Sequence, residues 1–539
     1  MIEKRADKRL KVGGVASFIA VLMAPGVAGA FEVNSGNPDL QIRFDNTLRY
    51  NVGMRVEPRN SKIFNNRNFD EADGKFDNGD IVTNRLDLLT EFDFIYKGHS
   101  GFRVSAAGWY DHAYEDDSLR GNPVFGSQNT YAGNKYSRTV KRFNHGPSGE
   151  FLDVFAFTKF DIGEVPVAVK LGQHNVFWGE SLFTTSNSIA YSQGPIDGRK
   201  AAASPGIEAK EVFLPLNQLS LQAQITPDFS MAAQYYFEWQ PTRIPDGGTY
   251  LGTSDFFTVS GGTFLAPGIP FKGVTGKPDD QGDWGVMAKW APEWMGGTLG
   301  AYYRKFGEKL PWVLLAPNGR SAGLGYADDV ELYGVSFSKL IGTTSFGAEV
   351  SYRKNTGLSS AVRRATEGAR GDTWHWLVNA VTYFGRNPLW SSASLSAEIN
   401  GSVLDKVTSG EGLFNREGSA VCPGDRFDAC ITRSETAMNI KIEPLWYQVM
   451  PGVDLKMPIS FGVGLDGNGA QSSGGNRQGK GSYSIGLTAE VQNKYTFTLA
   501  YIDYLCRFRD NGTALTTQNC AGTTYNDRGW VSFLFKTSF

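Results

Sequence analysis

The sequence predicts an all-β fold, a transmembrane antiparallel β-barrel of about 18 strands. Three observations predict it. Apolar and polar residues alternate with period two through most of the 539 residues. The connectors between the alternating runs switch between short and long. The last run carries Val531, Phe533, Phe535, Thr537 and Phe539 on one face and stops there. A barrel of about 16 strands, the next even number, is the alternative.

Composition removes other classes. Lys plus Arg number 53 and Asp plus Glu 55, a formal charge of -2, so the basic excess of a simple nucleic-acid binder is absent. After residue 30 no apolar run approaches the roughly 20 residues of a membrane helix. Aromatics at 13% are too abundant for a disordered chain. The 4 Cys are too few for a disulfide-framed mini-domain. A mean hydropathy of -0.29 suits a barrel, whose polar interior offsets its apolar exterior.

The elements follow in chain order. Lys4, Arg5, Lys8, Arg9 and Lys11 precede an apolar run, Val12 to Ala30, that closes on Ala28-Gly29-Ala30. Residues 1–30 therefore read as a secretory signal peptide cut before Phe31, with an N-terminal membrane anchor as the competing reading. The barrel then occupies 31–539. In the first strand, 40–56, Leu40, Ile42, Phe44, Leu48, Tyr50, Val52, Met54 and Val56 share a face opposite Arg43, Asp45, Arg49, Asn51 and Arg55. The same alternation places strands near 81–96, 102–114, 150–161, 165–176, 208–225 and 229–239. It continues at 283–291, 297–306, 329–339, 344–354, 373–383 and 393–403, and ends with 436–447, 453–463, 481–491, 495–504 and 527–539. Nearly every run meets the roughly 9–11 residues a spanning strand needs.

A β-sandwich also alternates, so the connectors carry the choice. Lys97-Gly98-His99-Ser100, Thr226-Pro227-Asp228, Leu340-Ile341-Gly342 and Gln492-Asn493-Lys494 are short, and each is followed by a long one. Short periplasmic turns and long external loops are the rhythm of outer-membrane barrels. Aromatic clusters such as Tyr235-Tyr236-Phe237-Glu238-Trp239, Tyr302-Tyr303 and Trp374-His375-Trp376 read as girdles at the headgroup level. Phe539 reads as the terminal aromatic that the outer-membrane insertion machinery recognises, with Thr537 a departure from that pattern. Cys422 and Cys430 share one long connector, and Cys506 and Cys520 bracket another. Four Cys allow three pairings, of which Cys422–Cys430 and Cys506–Cys520 are the local ones expected.

Chemistry is sparse. None of the 5 His falls in a G-x-S-x-G, H-E-x-x-H or P-loop setting, and no spacing matches a calcium loop. The chain reads as a non-enzyme with no cofactor and no metal. The informative surface is the lumen. Arg43, Arg49, Arg85, Asp87, Glu91, Asp93 and Arg103 fall on inward faces, where opposite charges on neighbouring strands form ladders or set a field across a pore.

The least barrel-like stretch is 172–256. It reads Gly172-Gln173-His174-Asn175-Val176-Phe177-Trp178-Gly179-Glu180-Ser181, then Gly194-Pro195-Ile196-Asp197, Pro205-Gly206, Glu208-Ala209-Lys210-Glu211 and Leu214-Pro215-Leu216-Asn217. Glu238-Trp239, Thr242-Arg243, Gly248-Thr249-Tyr250 and Thr253-Ser254-Asp255-Phe256 follow. These segments resemble the domain of unknown function 1302 family of Gram-negative outer-membrane proteins. The resemblance implies movement of small hydrophobic or lipid-like molecules, with a periplasmic carrier and an inner-membrane exporter as partners.

Two connectors, 177–207 and 240–282, are long enough to be functional rather than mere links. The first is expected to fold into the mouth and constrict it. Trp178, Phe183 and Tyr191 would offer apolar contact, and Glu180, Asp197, Arg199 and Lys200 would anchor it to the wall. Glu211, Trp239 and Arg243 complete the constriction candidates. The expected work is passage of small hydrophobic molecules across the outer membrane. A porin for hydrophilic solutes and a plugged surface-binding barrel are the alternatives.

Overall fold

The computed structural model describes residues 31–33, 35–126, 130–204, 207–520, 522 and 524–539; the expected signal peptide, 1–30, lies outside them. The spanning strands are β1 (Leu40–Arg55), β2 (Ile81–Tyr96), β3 (Ser100–Asp111), β4 (Ser148–Ile162), β5 (Val165–His174) and β6 (Leu216–Thr226). They continue as β7 (Phe229–Tyr236), β8 (Trp284–Trp290), β9 (Gly297–Phe306), β10 (Val330–Ile341), β11 (Thr344–Gly357) and β12 (Arg370–Phe384). The last six are β13 (Ser392–Ser409), β14 (Ser434–Met450), β15 (Val453–Lys456 and Ile459–Asp466), β16 (Gly481–Val491), β17 (Tyr495–Leu505) and β18 (Trp530–Ser538). β15 is one strand broken at Met457-Pro458, where proline has no N–H to give the ladder. Phe31–Val33 adds a short antiparallel pairing to β1.

Each strand pairs antiparallel with its sequence neighbours, and β18 pairs with β1 from Thr47↔Ser538 to Arg55↔Trp530. The result is a closed barrel of 18 strands. Closure leaves no free sheet edge, as hydrocarbon requires. Phe539 extends the seam: its N–H donates to the Asn46 carbonyl at 2.9 Å, and Asn46 N–H returns a bond at 2.7 Å.

The alternation sorts the side chains. Outward residues such as Leu88, Val350, Ile485 and Leu499 are 41%, 51%, 48% and 54% exposed, and together they make an apolar belt too extensive for a water-facing surface. In register on the outer face, Tyr303, Tyr333, Tyr352 and Trp374 form a row across β9–β12, with ring centroids 5.1 Å apart for Tyr303–Tyr333 and 4.6 Å for Tyr352–Trp374. Period two also corrects the girdle expectation, because Tyr236, Tyr302 and His375 are buried on the inner faces of their strands and Trp239 is buried in the connector after β7.

Several strand ends differ from expectation, and two have a clear local cause. β3 stops at Asp111, whose carboxylate accepts from Ala113 N–H and caps a 3-10 turn over His112–Tyr114. The strand expected at 208–225 begins only at Leu216, because Ala209–Val212 forms a helical turn. Glu208-Ala209-Lys210-Glu211 has no period-two contrast, and Pro215 cannot donate to the ladder. Connector 237–283 and its neighbour 307–329 build a small sheet separate from that of the barrel, from Thr263–Ala266, Ile269–Gly276, Trp312–Leu315 and Ala322–Gly325. Disulfides join Cys422 to Cys430 and Cys506 to Cys520.

Candidate functional site: a segment folded across the lumen

Residues 175–215 leave β5 and return to β6, and in between they touch inward-facing residues of β9 to β14. Three wall carboxylates hold the segment, two by its backbone and one by a side chain. Glu349 of β11 accepts from the N–H groups of Glu180, of Ser181 at 3.0 Å and of Ile189 at 2.7 Å. Glu398 of β13 accepts from Leu182 N–H at 2.7 Å and Thr184 N–H at 2.8 Å. Glu435 of β14 accepts from the Asn187 amide at 2.8 Å and the Ser402 hydroxyl at 2.9 Å. Wall arginines serve the carbonyls. Arg304 donates to Ile189 O at 2.8 Å and Tyr191 O at 2.7 Å, and Arg353 to Ser188 O at 3.0 Å. The Arg353 guanidinium also lies 3.9 Å from the Tyr191 ring centroid. Acids for N–H groups and arginines for carbonyls satisfy a backbone that has no ladder of its own.

Asn187 is buried at the centre of a polar cluster. Its amide also donates to Asn400 at 2.9 Å, and its carbonyl oxygen meets His375 Nδ1 at 2.8 Å and accepts from Gln471 at 3.0 Å. His375 is fully buried.

The second half of the segment is held by ion pairs. Asp197 pairs with Arg243 at 2.9 Å, Arg199 with Asp246 at 2.7 Å and Lys200 with Glu150 at 2.6 Å. Burial alone would raise the Asp197 pKa, but Arg243, Lys200 and Arg199 outweigh it and hold the carboxyl below its usual range. Phe143 lies between two guanidiniums, with Arg199 4.4 Å and Arg243 4.8 Å from its centroid. Glu211, in the helical turn, forms a bidentate pair with Arg49 of β1. The segment is thus held both by β1 and by the walls of β9 to β14.

The remaining residues singled out in the sequence are placed as follows. Trp178 is buried against Tyr302. Phe183 remains exposed. Glu180 lies 3.5 Å from Lys289. Trp239 packs edge-on to Tyr326, with Lys309 5.5 Å from its centroid. Only one cross-strand charge ladder forms among the inward residues of β1 to β3: Arg103 grips Asp93 with bonds of 2.6 and 2.7 Å. Arg49 stands opposite Asp87 in register yet turns to Glu211, so Asp87 takes Arg85 of its own strand at 3.0 Å. Arg43 stands opposite Asp93, which Arg103 already holds, and points to open space. Glu91 pairs with Lys210. Among the described residues, no three His, Cys, Asp or Glu come together as a metal-holding group.

The family model described as "Protein of unknown function (DUF1302)" matches residues 11–539. No curated protein matches the chain. Among solved structures the chain is similar to OccAB4 of Acinetobacter baumannii, with 10% identity and a TM-score of 0.42 over 93% of this chain and 100% of that one. It is similar to OpdK of Pseudomonas aeruginosa with vanillate, at 11% identity and a TM-score of 0.41 over 92% and 98%. It is also similar to the outer membrane channel DcaP of Acinetobacter baumannii, at 10% identity and a TM-score of 0.39 over 95% and 100%.

Proposed function

The chain belongs to the DUF1302 family, whose description names no activity, and from the geometry we propose that it is an outer-membrane channel for small hydrophilic solutes, narrowed by the segment 175–215. The lining of the wall carries this reading. Toward the short turns the inward positions are Gln222 and Gln224 on β6, and Ser392, Ser394 and Ser396 on β13. On β14 they are Lys441 and Glu443, and on β16 Ser484, Thr488 and Glu490. Such a wall keeps a solute hydrated over most of its circumference, with Phe155 and Phe157 of β4 as an aromatic exception. The apolar belt and the closed seam supply the setting, an outer membrane entered with its signal peptide removed and with Phe539 as the insertion signal.

Passage of lipid-like molecules, coupled to a periplasmic carrier and an inner-membrane exporter, is the competing proposal. Swelling of proteoliposomes in sugars of graded size, beside uptake of a radiolabelled lipid, separates the two. Swelling without lipid uptake supports the hydrophilic channel. Lipid uptake without swelling overturns it. Neither would mean a plugged surface-binding barrel.

A further inference from the structure

A cavity of about 330 Å³ lies against the inner wall of β14 to β17, beside connector 467–480 and away from the crossing segment's ion pairs. Two cations line it, Arg477 and Lys480, and no carboxylate does. Arg477 is 3% exposed, gives Nη1 to the Gly469 carbonyl at 2.5 Å and leaves its buried Nε without a partner. No partner of the Lys480 ammonium is present among the described residues. Glu435, the acid whose charge reaches Arg477, accepts its hydrogen bonds from Asn187, Ser402 and Asn476 instead. A buried Arg477 and a half-buried Lys480 on one cavity wall repel each other unless an anion lies between them. Burial and the charge of Arg477 push the Lys480 pKa down to about 8.

Neutral donors and an aromatic wall complete the cavity. Asn439 and Ser482 lie in register with Gly462 between them. Tyr504 receives the Trp530 indole N–H at 3.3 Å, leaving its own O–H to donate. Tyr504 and Tyr525 meet edge to face with centroids 5.2 Å apart. Glycines bring the connector this close to the wall: a Cβ on Gly464 would stand 2.0 Å from the Arg477 carbonyl, and one on Gly481 2.2 Å from the Gly462 carbonyl.

We propose that this cavity is a lumenal binding site for a small organic carboxylate, its carboxylate between Arg477 and Lys480 and its apolar body against Tyr504 and Tyr525. The size is that of a small-molecule site, and cations that no carboxylate grips in a salt bridge select the anion. This deepens the channel reading and rests on it, so the test measures binding rather than flux.

The full chain in detergent, its fold checked by heat-modifiable gel migration, is titrated with benzoate by calorimetry. Acetate, inorganic phosphate and uncharged benzamide serve as comparisons. The expected result is one saturable benzoate site, weakened at least tenfold in Lys480→Gln, restored by Lys480→Arg, and weaker for each comparison ligand. Benzoate binding unchanged in Lys480→Gln, absent in the wild type, or matched by benzamide would overturn the carboxylate site. Phosphate binding as tightly as benzoate would overturn the organic body. Sugar-driven swelling of the same preparations reports on the channel separately, so a failed site and a failed channel are told apart.

Discussion

Replacing Glu349 by Ala should release one arc of the crossing segment. Its carboxylate receives three backbone N–H groups, from Glu180, Ser181 and Ile189, and no basic residue stands opposite it, since its register partners are Ser336 and Leu377. Each buried N–H left unpaired costs about 1–3 kcal/mol. Three would cost roughly 3–9 kcal/mol, and water entering the vacated space brings the expectation to the lower end, about 3 kcal/mol. The anchors at Glu398 and Glu435 remain, so the opening is local and the barrel stays folded. At about 1.4 kcal/mol per tenfold, amide exchange at residues 180, 181 and 189 should rise roughly 100-fold. Hydrogen exchange with mass spectrometry reads this directly, with β16 and β17 peptides as internal controls. Glu349→Gln should fall between, because one oxygen still accepts while its amide opposes the Ile189 N–H. Unchanged exchange at 180–189 in a folded Ala variant would refute the clasp.

Other outcomes follow from the same structure. Burial raises the Asp70 pKa to about 6 and also raises Glu71 and Asp255. Raised carboxyls stabilise the packed loops most below about 4, near their ordinary value, and that contribution is lost as pH rises through about 6 for Asp70 and further for the other two. Connectors 56–80 and 237–283 should therefore be better protected from exchange at pH 5 than at pH 8, after correction for intrinsic rates; the reverse order would contradict it. On β17, Leu499→Arg places a charge on the lipid face and should cost about 2–4 kcal/mol, depending on depth. The neighbouring lumenal Thr498→Arg should lose only its hydroxyl bond to Thr488, about 1 kcal/mol; equal costs in a refolding titration would deny the assigned faces. Opening Cys506–Cys520 by double Ser substitution should destabilise connector 506–529 locally by about 3 kcal/mol, raising exchange there while barrel melting stays unchanged. Deleting Phe539 should lower the amount recovered in outer-membrane fractions; full recovery would remove its role as insertion signal.

The strands were legible because each spanning segment must satisfy two solvents at once, and that requirement writes period two into the chain. Residues 208–215 misled because the apolar run Val212-Phe213-Leu214 leads straight into the alternating strand, although Ala209–Val212 is a helical turn and Pro215 separates them. The anchors Asp197, Arg199, Lys200 and Arg243 could be picked out because charges in a long Gly- and Pro-rich connector need partners. Glu349, Glu398 and Glu435 could not, since each looks like an ordinary lumenal polar residue. Their partners are backbone N–H groups more than 150 positions away, or an amide more than 200 away. The signal was present in the pairing rather than the composition: Glu349 faces Ser336 and Leu377, Glu398 faces Asn379 and Asn439, and Glu435 faces Ser402. Inward acids with no cation opposite need donors from elsewhere. Arg49 and Asp87 show the converse, an in-register pair that a residue outside the strands, Glu211, draws apart.

Single-channel conductance in planar bilayers tests the crossing segment most directly, comparing the full chain with one in which 182–204 is replaced by a short Gly-Ser linker. A segment that spans the lumen from β5 to β14 predicts a severalfold larger, noisier conductance in the shortened chain. Equal conductance, from barrels equally well folded and inserted, would mean that the lumen is not narrowed there.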